Sequence, residues 1–161
     1  MIRVIEHCKK LITGMRNNLL PLLIFFFIQT TFAEAIDNSS DKGTLIVKIV
    51  GFANNNGECR FALDNLKDVF ESDDSVYIGK VLPIVNSEVH LEFESLNFGN
   101  YAIKVFHDAN SNGELDSNFL GIPSEDYGFS NNASAWFGPP SWEKATFLFN
   151  HKEMTIEISV E

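Results

Sequence analysis

"EVHLEFES", residues 88–95, sets Val89, Leu91 and Phe93 on one side of the chain and His90, Glu92 and Glu94 on the other. Successive side chains of an extended chain point to opposite faces, so this period of two reads as a strand with one face in a core and one in water. The pattern recurs in both directions. Upstream, "TLIVKIVGF" (44–52) aligns Leu45, Val47 and Ile49, and "NNNG" (Asn54 to Gly57) is a turn into "ECRFALD" (58–64), so these two segments are expected to form a hairpin. "YIGKVLPIV" (77–85) resumes the strand pattern after "NLKDVFESDDSV" (65–76), which breaks it and suits one short helical turn with Leu66, Val69 and Phe70 inward.

Downstream, "LNFGNYAIKVFHD" (96–108) passes a turn glycine, Gly99, and then alternates Tyr101, Ile103 and Val105. Tyr101 fits a tyrosine corner, its hydroxyl bonded back to the turn it follows, and equally an ordinary core tyrosine. "KATFLFN" (144–150) and "MTIEISV" (154–160) close the chain, the latter with Met154, Ile156, Ile158 and Val160 inward. About seven short strands with little helix predict an all-β fold. The expected form is an antiparallel immunoglobulin-like or transthyretin-like β-sandwich with one long aromatic-rich loop, its strand order left open.

The N-terminal third reads differently. Arg3, Lys9, Lys10 and Arg16 precede the apolar run "LLPLLIFFFI" (Leu19 to Ile28), and "QTTFAEA" follows with Ala33 and Ala35 two apart, the layout of a cleaved export signal. The run is about half the roughly 20 apolar residues a spanning helix needs and contains Pro21. Residues 1–35 are therefore expected to be a signal peptide, residues 36–42 a flexible lead-in and residues 43–161 a single domain, with Met1 and Met15 both open as starts. The product is expected in the periplasm, at the cell surface or outside the cell, without membrane insertion after cleavage.

The leader carries four of the 12 basic and two of the 22 acidic residues, leaving 8 against 20 and a net charge of −12. That field repels phosphate backbones, excludes nucleic acid as a partner and favours cations. Cys59 alone remains after cleavage, so no internal disulfide can form, and its place in an alternating strand predicts a buried structural thiol.

From Asp108 to Ser141 no period is visible, although Phe119, Tyr127, Phe129, Trp136 and Phe137 lie there and Trp142 follows. A structureless connection this long needs something to hold it. Its first part, "DANSNGELD", places Asp108, Asn110 and Asn112 at positions one, three and five, Gly113 at six, the Glu114 carbonyl at seven and Asp116 at nine. Oxygen ligands so spaced around a glycine turn can wrap Ca2+. Leu115 stands at the usual inward apolar position. Phe119 occupies position twelve, where a helix-loop-helix calcium hand carries a bidentate glutamate, so that architecture is excluded and Glu125 or Asp126 is expected to close the shell. Asp and Asn also favour turns through their own Asx bonds, and an inert turn accounts for part of the same pattern.

The mixture of aromatics with Asn, Gly and Pro over 121–145 suits either capping of the core or contact with an envelope protein or glycan. No zinc-protease, nucleophile-elbow, phosphate-loop or dinucleotide motif is present. An enzymatic alternative, a hydrolase or lyase, would use His107 with Asp108, Glu125 or Asp126 in one open pocket. A purely structural scaffold is the other alternative. Oligomeric state is not readable.

The segment from Phe106 to Phe147 closely resembles the hallmark of domain-of-unknown-function family 2141, small exported bacterial proteins. Its pattern falls on His107, Asp108, Asn110, Asn112, Gly113, Leu115 and Asp116, on Gly121, Pro123, Glu125 and Tyr127 to Asn131, and on Gly138, Pro139, Pro140 and Ala145. Trp142 stands where that pattern more often has phenylalanine. The resemblance covers roughly residues 43–160 and implies an envelope or secreted β-sandwich, with no activity or substrate to carry over.

Overall fold

The computed structural model describes residues 41–72 and 75–161; the expected signal peptide lies outside them. The buried hydrophobic residues among the described ones give the compact unit Asp37–Glu161 its own core. Among the described residues no helix is long and apolar enough to cross a membrane.

Among the described residues eight strands form two sheets, so the fold is all-β. β1 (Lys42–Val50), β4 (Glu88–Asn97) and β8 (Glu153–Ser159) make the first, in the order β4-β1-β8. The second has the order β3-β2-β5-β6, from β2 (Glu58–Asp64), β3 (Ile78–Leu82), β5 (Gly99–Asp108) and β6 (Tyr127–Phe129), with β7 (Phe147–Phe149) on the first half of β5. The alternation that defines β4 is met by that of β1: Leu45 lies opposite Phe93, Val47 opposite Leu91 and Ile49 opposite Val89, all buried. Across the core Phe93 stacks on Phe61 of β2 at 5.6 Å between centroids.

Three expectations are corrected. β1 and β2 do not form a hairpin. The connection after Gly51 buries Phe52 in the core and carries the chain from one sheet to the other, too long a path for a tight two-residue turn. The sheets are also not wholly antiparallel: β8 runs parallel to β1, from Thr44 opposite Glu153 to Val50 opposite Ser159. A parallel pair needs a long crossover, and nearly the whole domain intervenes between these strands. Finally, the helical turn α1 (Lys67–Phe70) buries Phe70 but leaves Leu66 60% exposed, because Leu66 is still extended at the N-cap and points away from the helix's inner face.

Tyr101 does form the corner: its hydroxyl donates to the Asn97 carbonyl at 2.9 Å while its ring is buried. Cys59 faces the core, and burial pushes its thiol up to about 12, which leaves it un-ionised and inert at neutral pH.

The outward face of the second sheet is covered too. Phe70, Ala102, Phe129 and Ala145 form a second buried cluster with Tyr127, Ala133 and Trp142 against it. It is built by α1, a 3-10 turn at Ser130–Asn132 and the short helix α2 (Trp142–Ala145). Lys104 fastens α1 to the sheet: Nζ donates to the Phe70 carbonyl at 3.0 Å, lies 5.3 Å from the Phe70 ring centre and 3.6 Å from buried Asp64. Ser130 fastens the other side, accepting from the Ile103 amide at 2.9 Å and donating to the Ala145 carbonyl at 2.6 Å. Tyr127, Phe129 and Trp142 are therefore capping aromatics, whereas Phe119, Trp136 and Phe137 are almost wholly exposed.

Candidate metal-binding loop

The site begins where β5 ends. His107 and Asp108 are neighbours on a strand and point to opposite faces. Inward, His107 packs edge-on against Phe52 at 5.6 Å; outward, Asp108 meets the β2 residues that face away from the core. There Arg60 Nε donates to Asp108 Oδ2 at 2.9 Å, and Arg60 also donates to Glu58 Oε1 at 2.6 Å.

Beyond Asp108 the chain wraps around its own side chains. The Asn112 amide donates to Asp108 Oδ1 at 2.9 Å and to Asn110 Oδ1 at 3.0 Å. The Gly113 amide donates to Asp108 Oδ2 at 2.8 Å, and the Glu114 amide to Asn112 Oδ1 at 2.8 Å. Gly113 sits at φ 90°, a conformation side chains resist, and so turns the chain sharply enough to aim its amide back at Asp108. Burial pushes the Asp108 carboxyl up. The Gly113 amide, the Arg60 guanidinium and the Asn112 amide together outweigh that and hold it below its ordinary value.

Asp116 closes the curve, accepting from Asn110 Nδ2 at 2.7 Å and from Asn112 Nδ2 at 3.2 Å. Glu125 reaches back over the loop, Oε1 accepting from the Ala109 amide and Oε2 from the Asp116 amide, both at 2.9 Å. It thereby ties the two ends of the curve together. Asp126 turns the other way, as the residue next along an extended chain must. Its Oδ2 accepts from the Ala53 amide at 3.2 Å and lies 3.9 Å from His107 Nδ1.

Of the seven residues expected at a cation, the structure thus brings Asp108, Asn110, Asn112 and Asp116 together, with Glu114 in the same turn and Glu125 as its clamp. Asp126 is not among them. Leu115, expected inward, is 37% exposed. Among the described residues no group of three or more His, Cys, Asp or Glu that could hold a metal is found. The side-chain oxygens gathered in the loop come from the Asp108, Asp116 and Glu125 carboxylates and the Asn110 and Asn112 amides.

The enzymatic alternative needs His107 open to a pocket. Its ring is only 3% exposed, and Nε2 lies 2.7 Å from the Asn56 carbonyl. The ring is a structural peg between the β1–β2 connection and β5, and Asp108 and Glu125 lie on the other face of the strand.

Sequence reasoning missed Arg60 as the partner of Asp108. Its alternation opposite Cys59 in "ECRFALD" placed it on an outward face, but only the β2–β5 register sets Glu58 opposite Asp108 and brings Arg60 within reach. It also missed the latch formed by Ser130 and Asn131, whose Nδ2 donates to the Thr146 carbonyl at 2.9 Å.

No curated protein and no solved structure matches the chain. A family model does match, over residues 47–157, which takes in the core strands, the curved loop and the exposed aromatics. The chain belongs to the bacterial family described as "Uncharacterized protein conserved in bacteria (DUF2141)".

Proposed function

We propose that the chain is an exported, noncatalytic β-sandwich domain, of immunoglobulin-like or transthyretin-like kind, whose loop 108–126 takes up calcium weakly and presents an aromatic surface at the cell envelope. The observation that carries this reading is the convergence of Asp108, Asn110, Asn112 and Asp116 under the Glu125 clamp. A turn alone needs the Asx bonds at Asn110 and Asn112; it does not need a second carboxylate facing both amides.

The affinity follows from the bonds a cation must displace. The two Asn Nδ2 groups donate hydrogen bonds to Asp116 in the present arrangement. For Asn oxygens to face a cation beside Asp116 the amides must rotate, giving up the bonds that Asn112 and Glu114 donate to them. Arg60 already balances part of the Asp108 charge. Such a site belongs in the roughly 10⁻⁴ to 10⁻³ M range of extracellular modules. A ligand that binds only the folded form raises its melting temperature. Chelator-stripped protein is therefore expected to melt higher in millimolar calcium, with the increment reduced by Asp116→Asn; an unchanged melting curve rejects the metal reading.

A further inference from the structure

Away from the calcium loop, β6, the 3-10 turn that follows it, residues 133–140 and the end of β8 enclose a cavity of about 280 Å³. Buried Gly128 and Phe129 make its floor and half-buried Tyr127 a wall, while Asn132, Ser134 and Glu161 are exposed at its rim. Tyr127 packs edge-on against Phe129, with 6.0 Å between ring centres.

The main chain fixes these groups. Tyr127 and Glu161 exchange both amide-to-carbonyl bonds, at 3.2 and 3.1 Å, so they stand directly opposite one another and their side chains leave on the same side. Asn131 and Asn132 follow each other at φ 60° and 47°, left-handed conformations that cost free energy in any residue with a side chain. The turn they make carries Asn132 to the end of β8, where its Oδ1 accepts from the Ser159 amide at 2.9 Å. No described residue bonds to the Asn132 Nδ2, to the Ser134 hydroxyl or to the Glu161 side-chain carboxylate.

That set of groups selects a ligand class. The volume lies just below the roughly 300–1,000 Å³ of sites for drug-sized molecules, which limits the occupant to about one ring. Glu161 is the single charged residue of the lining, on an acidic chain, so anions are repelled. An organic ammonium would suit Tyr127 and Glu161 but would leave the Asn132 Nδ2, a donor, beside a positive charge. A ring with C–H faces and hydroxyl edges satisfies all four groups: the aromatic wall takes a face, the amide donates, the carboxylate accepts and the Ser134 hydroxyl does either.

We propose that this cavity binds one uncharged pyranose ring, free or at the end of a glycan, with a ring face on Tyr127 and its hydroxyls bonded to Asn132 Nδ2, Ser134 and Glu161. This supplies a partner for the exported domain and rests on the reading above only for export. Calcium has no part in it.

The test is a titration of the 15N-labelled chain from Asp37, the compact unit with its own core, followed by amide resonances. It is run in chelator, so the metal reading and this one fail separately. The probes are glucose, galactose, mannose and N-acetylglucosamine, each also as its methyl glycoside, with choline as the ammonium control. At least one sugar is expected to shift the Gly128, Asn132 and Ser134 amides saturably, with a midpoint on the order of 1 mM, as the efficiency of small ligands gives for a single ring. A response to the free sugar and its methyl glycoside alike supports a glycan end; a response to the free sugar alone supports a free sugar. Ser134→Ala and Glu161→Ala are each expected to weaken binding by about fivefold, the usual effect of one lost hydrogen bond, with melting unchanged. Amides that stay fixed up to about 100 mM of every sugar, two orders of magnitude above that midpoint, overturn the proposal. So does binding untouched by both substitutions, or a response to choline and to no sugar.

Discussion

Arg60 Nε lies 2.9 Å from Oδ2 of Asp108, a carboxylate with no exposed surface, and this pair joins the rigid sheet to the loop that follows it. The sheet end of the loop is therefore set by β2 and β5 before any ligand arrives. Removing the guanidinium leaves a buried carboxylate with only main-chain donors. Arg60→Met is expected to destabilise the domain by about 1–3 kcal/mol, the usual cost of an under-satisfied buried polar group. Denaturant melts of the two proteins check it.

Acidification acts on the same carboxyl. Asp108 is held below its ordinary value in the folded protein, so its contribution is present above the unfolded value of about 3.9 and is lost as pH falls through the lowered folded value. Melting temperature is expected to drop on acidification below about pH 4. In Asp108→Asn, part of that pH dependence disappears and the protein is less stable at neutral pH. A parallel pH profile in the two proteins would show that other carboxyls carry the effect.

Glu125 satisfies two main-chain donors from opposite ends of the loop. Glu125→Ala is expected to raise amide hydrogen exchange at Ala109 and Asp116 while exchange in β1 and β4 stays unchanged, because the core strands do not depend on the clamp. Glu125→Gln keeps one good acceptor and is expected to protect only one of the two amides.

Ser130 accepts from Ile103 and donates to Ala145 in a fully buried position. Ser130→Ala orphans the Ile103 amide, while the Ala145 carbonyl keeps its bond from Asn131 Nδ2 at 3.2 Å, and is expected to cost about 1–3 kcal/mol. Gly128 tests the same corner sterically. A Cβ there would lie 2.6 Å from the Ser159 carbonyl oxygen, so Gly128→Ala pushes β6 away from the end of β8 and is expected to cost about 1–3 kcal/mol. Thermal melts of both variants measure this.

How much of this was legible depends on distance along the chain. The faces of β1, β4 and β8 could be read because strict alternation of apolar and polar residues is a local signal, and Leu45, Val89 and Ile158 are buried as that signal requires. Sheet membership was not local: Asn54 to Gly57 resembles a hairpin turn, but burial of Phe52 decides that the chain crosses between sheets. β6 has three residues, too few to display a period, whereas the strand expected over 144–150 is present only as Phe147–Phe149, because α2 takes Lys144 and Ala145. The curve from Asp108 to Asp116 was visible as spaced oxygens around Gly113. The choice between Glu125 and Asp126 was not, since it depends on which face of the chain the strand register turns toward the loop. Exposure of Trp136 and Phe137, against the packing of half-buried Trp142 on Phe70, has no signature in composition at all.

The central claim concerns the loop oxygens, and the amide resonances of Asn112, Gly113 and Glu114 report on them directly, since these groups donate to Asp108, Asn110 and Asn112. Calcium titrated into chelator-stripped protein is expected to shift these resonances saturably, with a midpoint of roughly 10⁻⁴ to 10⁻³ M, and to leave them still in Asp116→Asn over that range. Resonances that stay fixed up to about 10 mM calcium, an order of magnitude above that range, would contradict the account and leave the loop a turn locked by Arg60 and Glu125 alone.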